Sequence, residues 1–90
     1  MAISITKPIA EHIKEYTLKV NQLAGDKITA KYPIYKQLNV ARTSDAETMN
    51  VWIDNVRALA QTAKLAINAA TSIVEIRAAQ ATFIEAIAVL

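Results

Sequence analysis

Apolar residues recur at helical spacing along almost the whole chain, and their phase changes at only a few points. Ile9, Ile13, Tyr16, Val20 and Leu23 follow one another at intervals of four, three, four and three residues. That interval pattern is the seam of a helix packed lengthwise on another. Pro8 suits a first helical turn, where its missing N–H deprives no carbonyl of a partner, and Glu15 with Lys19 makes an i,i+4 pair on the outer face.

Beyond Leu23 the next large apolar positions are Ile28, Tyr32, Tyr35 and Leu38, out of phase with the first set. Gly25 either ends the first helix as a C-cap or sits inside a longer one at a cost of roughly 1 kcal/mol relative to alanine. Pro33 lacks a backbone donor and disfavours helical geometry at Tyr32, so a kink or restart is expected at Tyr32-Pro33. Thr43-Ser44 then interrupts the pattern. Ser44 and Glu47 stand at capping-box spacing and predict a new helix start.

Met49, Trp52, Ile53, Val56, Leu59, Ala60, Ala63, Ile67 and Ala70 keep one face of that next helix apolar. A second capping box, Ser72 with Glu75, precedes Ile73, Ile76, Gln80, Phe83, Ile87 and Leu90, again at three–four spacing. One continuous helix from Asp45 to Leu90 is the alternative, but Thr71 and Ser72 favour caps over helix interiors, so two helices are predicted. The expected architecture is a single all-α domain over residues 1–90, with helices at about 8–31, 33–42, 45–69 and 73–89. It is an antiparallel helical hairpin turning near residues 42–45, joined by a C-terminal helix into a small bundle, its first helix long and kinked, if anywhere, at Gly25 or Pro33.

Helix lengths add an expectation about assembly. At about 1.5 Å per residue, a helix folding back from Ser44 ends near Ala70 beside about residue 17 of the first helix. Residues 9 to 16 then project past their own chain with Ile9, Ile13 and Tyr16 exposed. The predicted interface is therefore Ile9, Ile13, Tyr16, Val20 and Leu23, covered by a second copy of the chain.

Composition agrees with a folded helical protein. Of 90 residues, 53% are apolar, with one glycine and two prolines, which excludes the composition of a disordered tail. Eleven of the seventeen alanines follow Arg57, so the second half should pack its helices closely. A domain of this length buries only about 60–65% of the surface of its unfolded chain, so added stability from a partner is expected. The N-terminus has no basic segment followed by an apolar run and a small-residue cleavage site, which argues against a secretory signal. Leu65 to Val74, the longest uncharged stretch after Arg57, is well short of the roughly 20 residues of a membrane span.

Candidate chemistry is sparse. With no cysteine there is no disulfide, thiolate nucleophile or cysteine-ligated zinc. His12 lies between Glu11 and Glu15, but no second histidine completes a metal-ligand set and no nucleophile accompanies it. One glycine cannot build a phosphate loop. The expectation is a non-enzymatic protein with no cofactor, no metal and no small-molecule substrate.

Trp52, Tyr32 and Tyr35 read as core packing ahead of a ligand-binding cluster, with the hairpin bringing Trp52 and Tyr35 to similar heights. Residues 1–42 carry seven Lys/Arg and three acids, and residues 43–90 carry three and five. Lys27, Lys31, Lys36 and Arg42 supply the alternative function, a small nucleic-acid-associated regulator, although their spacing does not hold one narrow helix face. Glu85 and the lack of a basic polar face make Ala78 to Leu90 a helix packed on protein and not on membrane.

Ile28 to Arg42, I-T-A-K-Y-P-I-Y-K-Q-L-N-V-A-R, followed by M-N-V-W-I-D-N-V-R from Met49 to Arg57, resembles a helical-hairpin module of small bacteriophage proteins associated with tails and tail fibres. The likeness rests on Lys31-Tyr32-Pro33, Lys36-Gln37 with Asn39, and Trp52-Ile53-Asp54 with Val56-Arg57, and covers about a third of the chain. The resemblance implies a structural or assembly role among phage proteins, in the bacterial host cytoplasm or on the virion. It brings no active-site residues.

Overall fold

The computed structural model describes residues 8–90, which form the helices α1 (Ile9–Lys31), α2 (Ile34–Val40), α3 (Ala46–Ala69) and α4 (Ile73–Ala88). α1 packs on α3 and α4, α3 packs on α4, and α2 rests chiefly on α3. The result is a rod of 63 × 20 × 17 Å. No helix among the described residues is long and apolar enough to cross a membrane.

α1 runs unbroken through Gly25, which has no positive φ and so closes no helix. The change of phase near Leu23 has a simpler cause. Successive steps of four residues turn a straight helix by about 400°, so the buried line drifts from Val20 to Ala24 and on to the half-buried Ile28. The break falls at Tyr32, which leaves helical geometry at φ −128° and ψ 79° while its N–H still bonds the Ile28 carbonyl at 2.7 Å. Pro33, at φ −56° and ψ 156°, then starts α2 from an extended conformation.

The two predicted capping boxes behave differently. Ser72 is extended, and its Oγ accepts the Glu75 N–H at 3.2 Å. The Glu75 carboxylate reaches back one residue further than the standard box and accepts the Thr71 N–H at 2.7 Å. Ser44 caps nothing. α3 starts from Asp45, whose helical backbone (φ −84°, ψ −2°) directs no side-chain oxygen at the first-turn N–H groups. The turn is held by Thr43, whose Oγ1 donates to the Val40 carbonyl at 2.8 Å and accepts the Asp45 N–H at 3.2 Å.

The core joins Val20 and Ala24 of α1, Val56, Ala60, Ala63 and Ile67 of α3, and Ile76, Phe83 and Ile87 of α4. Three alanines at this seam let the helix backbones approach closely around the larger side chains. Val20, Val56, Ile67 and Ile76 are the fully buried large residues, each contributing about 1.5–3 kcal/mol relative to exposure.

The predicted α1 interface is corrected here. Val20 has no exposed surface, and Ile13, Tyr16 and Leu23 are half-buried against the same core, so only Ile9, at 37% exposure, stands at the surface. α4 supplies the cover that hairpin geometry alone left out. It returns alongside both α1 and α3, so the seam is used within the chain.

Candidate functional site

The uncovered end of the rod is the hairpin end. The Trp52 indole donates its Nε1–H to the Leu90 carbonyl at 3.2 Å, so the last residue after α4 sits against the seventh residue of α3. From that level outward, α3 has α2 as its neighbour. Met49 and Ile53 of α3 are buried there, outside the contiguous core.

Helical rotation of about 100° per residue divides α2 into two sides. Gln37 and Val40 are half-buried, and the Gln37 side-chain amide donates to the Tyr32 carbonyl at 2.7 Å, tying α2 to the corner it starts from. The opposite side carries Ile34, Tyr35 and Leu38, exposed by 65%, 70% and 65%. These three side chains fall within about 100° of arc, with exposed Ala41 extending the same side by one turn.

The sequence pattern assigned Tyr35 and Leu38 to the continuing core stripe, and the structure corrects both. The restart at Pro33 resets the helical phase, so Tyr35 and Leu38 fall on the exposed side of α2. Tyr35 is therefore not part of the aromatic cluster. Tyr32 is: its ring meets the Trp52 ring edge-on, with centroids 5.6 Å apart and planes at 62°.

The cations near this end are used partly by these rings. Lys31 Nζ lies 4.6 Å from the Trp52 centroid and 5.8 Å from that of Tyr32, and Lys36 Nζ lies 5.5 Å from the Tyr32 centroid. Such contacts contribute about 0.5–1 kcal/mol each at exposed sites. They also set the charge along α2. Lys31 and Lys36 mark the end near Pro33, while exposed Asp45 and Glu47, accompanied by Arg42, mark the end at the turn.

Elsewhere the surface holds open depressions. One lies between α3 and α4 over Ala63, Ala66, Ala79 and Phe83, and another beside Tyr16 and Gln80. His12 is half-buried on α1, and among the described residues no group of three or more His, Cys, Asp or Glu side chains is gathered closely enough to hold a metal ion. Comparison with models of protein families, with curated proteins and with solved structures gives no match. The fold defines the class as a small all-α bundle, and among the described residues α2 carries an exposed apolar face.

Proposed function

We propose that this chain is a non-enzymatic assembly protein that acts through protein–protein contacts and associates with copies of itself. The observation that carries this reading is the α2 face of Ile34, Tyr35 and Leu38, three large apolar side chains side by side at the end of a rod. Contiguous apolar surface of this kind is characteristic of interaction sites, whereas singly exposed apolar residues need no explanation. The phage-tail resemblance of residues 28–57 includes this same corner, and supports structural phage proteins as further partners, with the host cytoplasm or the virion as the setting.

Sedimentation velocity across a wide range of concentration tests the reading. The expected result is a mass that rises reversibly above the 9.8 kDa of one chain. A mass that stays at one chain at every concentration overturns it.

A further inference from the structure

We infer that the groove between α1 and α3 is a binding site for a small diphosphate, either inorganic pyrophosphate or the diphosphate of a nucleotide. This site goes beyond the assembly reading and does not rest on it. Among the described residues only α1 and α3 line the groove, whose volume is about 420 Å³. That lies within the range of small-ligand sites, roughly 300–1,000 Å³. Ala24, Gly25 and Ala60 keep it open, and a Cβ added at Gly25 would meet no heavy atom within 4 Å.

The chemistry of the walls selects an anion. Arg57, Gln61 and Lys64 follow one another at four and three residues on α3, within about 60° of arc, so two cations bracket an amide along one wall. Asn21 of α1 supplies a second amide from the facing wall. No carboxylate lines the groove. Asp54, three residues before Arg57, and Asp26, next to Gly25, are exposed and outside the lining. Neither Arg57 nor Lys64 has an ion-pair partner among the described residues. The depressions along the first half of α1 differ, because there Lys14 or Lys19 stands beside Glu15. Cations grouped in a concave site without a neutralising acid concentrate negative ligands.

Spacing selects the class of anion. Residues seven apart on a helix have Cα atoms about 10.5 Å apart, so Arg57 and Lys64 approach the middle of the groove from opposite ends. A diphosphate offers each of them its own phosphate, with the amides of Gln61 and Asn21 donating to the oxygens between. The Arg57 fork suits bidentate pairing with an oxyanion. Lys64 is half-buried, its stem packed on the bundle and its ammonium acting as a point charge.

The test is titration of the isotope-labelled chain with sodium pyrophosphate, followed by NMR at about 0.1 M salt, where charges more than about 10 Å apart are largely screened. Saturable shifts are expected at the Gly25 backbone amide and at the Asn21 and Gln61 side-chain amides, with a dissociation constant of roughly 1 mM or below. Arg57→Gln and Lys64→Gln should each weaken binding by about tenfold. Gln61→Glu, which sets a carboxylate between the two cations, should abolish it. Arg77→Gln removes the same charge from α4, which does not line the groove, and should leave the affinity unchanged. Helical circular dichroism of each variant verifies the fold.

No saturable shift at about 10 mM pyrophosphate overturns the site. So does a loss with Arg77→Gln equal to that with Arg57→Gln, which would reduce the effect to net charge. Sulfate that binds as tightly as pyrophosphate overturns the diphosphate assignment, as does a single-stranded oligonucleotide that binds and that pyrophosphate does not displace. The sulfate and oligonucleotide arms use the wild-type chain, so they decide the matter even where a variant fails to fold.

Discussion

Trp52 and Leu90 are joined by a hydrogen bond of 3.2 Å from the indole Nε1–H to the backbone carbonyl oxygen, across 38 residues of chain. The contact closes the three-helix part of the rod. On one side of it α1, α3 and α4 surround a common core, and on the other α2 and the first turns of α3 stand without α4. Trp52 also receives Lys31 on its ring and Tyr32 against its edge, so this one side chain links α1, α3 and the end of α4.

Trp52→Phe keeps an aromatic ring and removes the donor. The lost hydrogen bond and weaker cation–π contact should cost about 1–2 kcal/mol, read as a lower urea midpoint at unchanged slope. Val51→Ala, at a neighbouring residue 53% exposed, should stay within about 0.5 kcal/mol of wild type. Equal effects would show that Trp52 does not hold the end of α4.

Val20→Asp should abolish cooperative unfolding or lower stability by several kcal/mol, because it puts an unpaired carboxylate into the core. Leu18→Asp, two residues away and 60% exposed, should leave the melting temperature nearly unchanged. A folded Val20→Asp chain of altered mass would return the α1 seam to its role as an interface.

Ser72→Ala should destabilise by about 1 kcal/mol, since Ser72 Oγ accepts the Glu75 N–H, whereas Ser44→Ala should be nearly silent. Both serines stand three residues before a glutamate, and sequence pattern alone cannot rank them. Thermal unfolding of the two variants decides the order.

Gly25→Ala should raise stability by about 0.5–1 kcal/mol. Gly25 lies inside α1 without a positive φ, and an added Cβ meets no heavy atom within 4 Å. A loss of stability would mean that the helix bends or closes at this residue.

Thr17 Oγ1 is buried without a hydrogen-bond partner. Thr17→Val replaces the hydroxyl with a methyl of similar shape, and should be neutral or stabilising in calorimetry. A loss above about 1 kcal/mol would reveal that the hydroxyl has a partner such as bound water.

The sequence determined the local structure closely. Periodicity picked out Met49, Ile53, Val56, Ala60, Ala63 and Ile67 as one face, and all six are buried; Ile76, Phe83 and Ile87 follow the same rule on α4. It also marked Pro33 as a break and Ser72 as a helix start, because both effects act within a few residues. Tertiary structure decided which apolar faces are covered. Hairpin lengths pointed to an uncovered N-terminal end, but α4 packs along α1 beside the buried Val20, while Tyr35 and Leu38 of α2 are exposed. The spacing of side chains states which of them share a face. Burial of that face depends on which distant helix packs against it: α4 packs on α1 and α3, and α2 rests chiefly on α3.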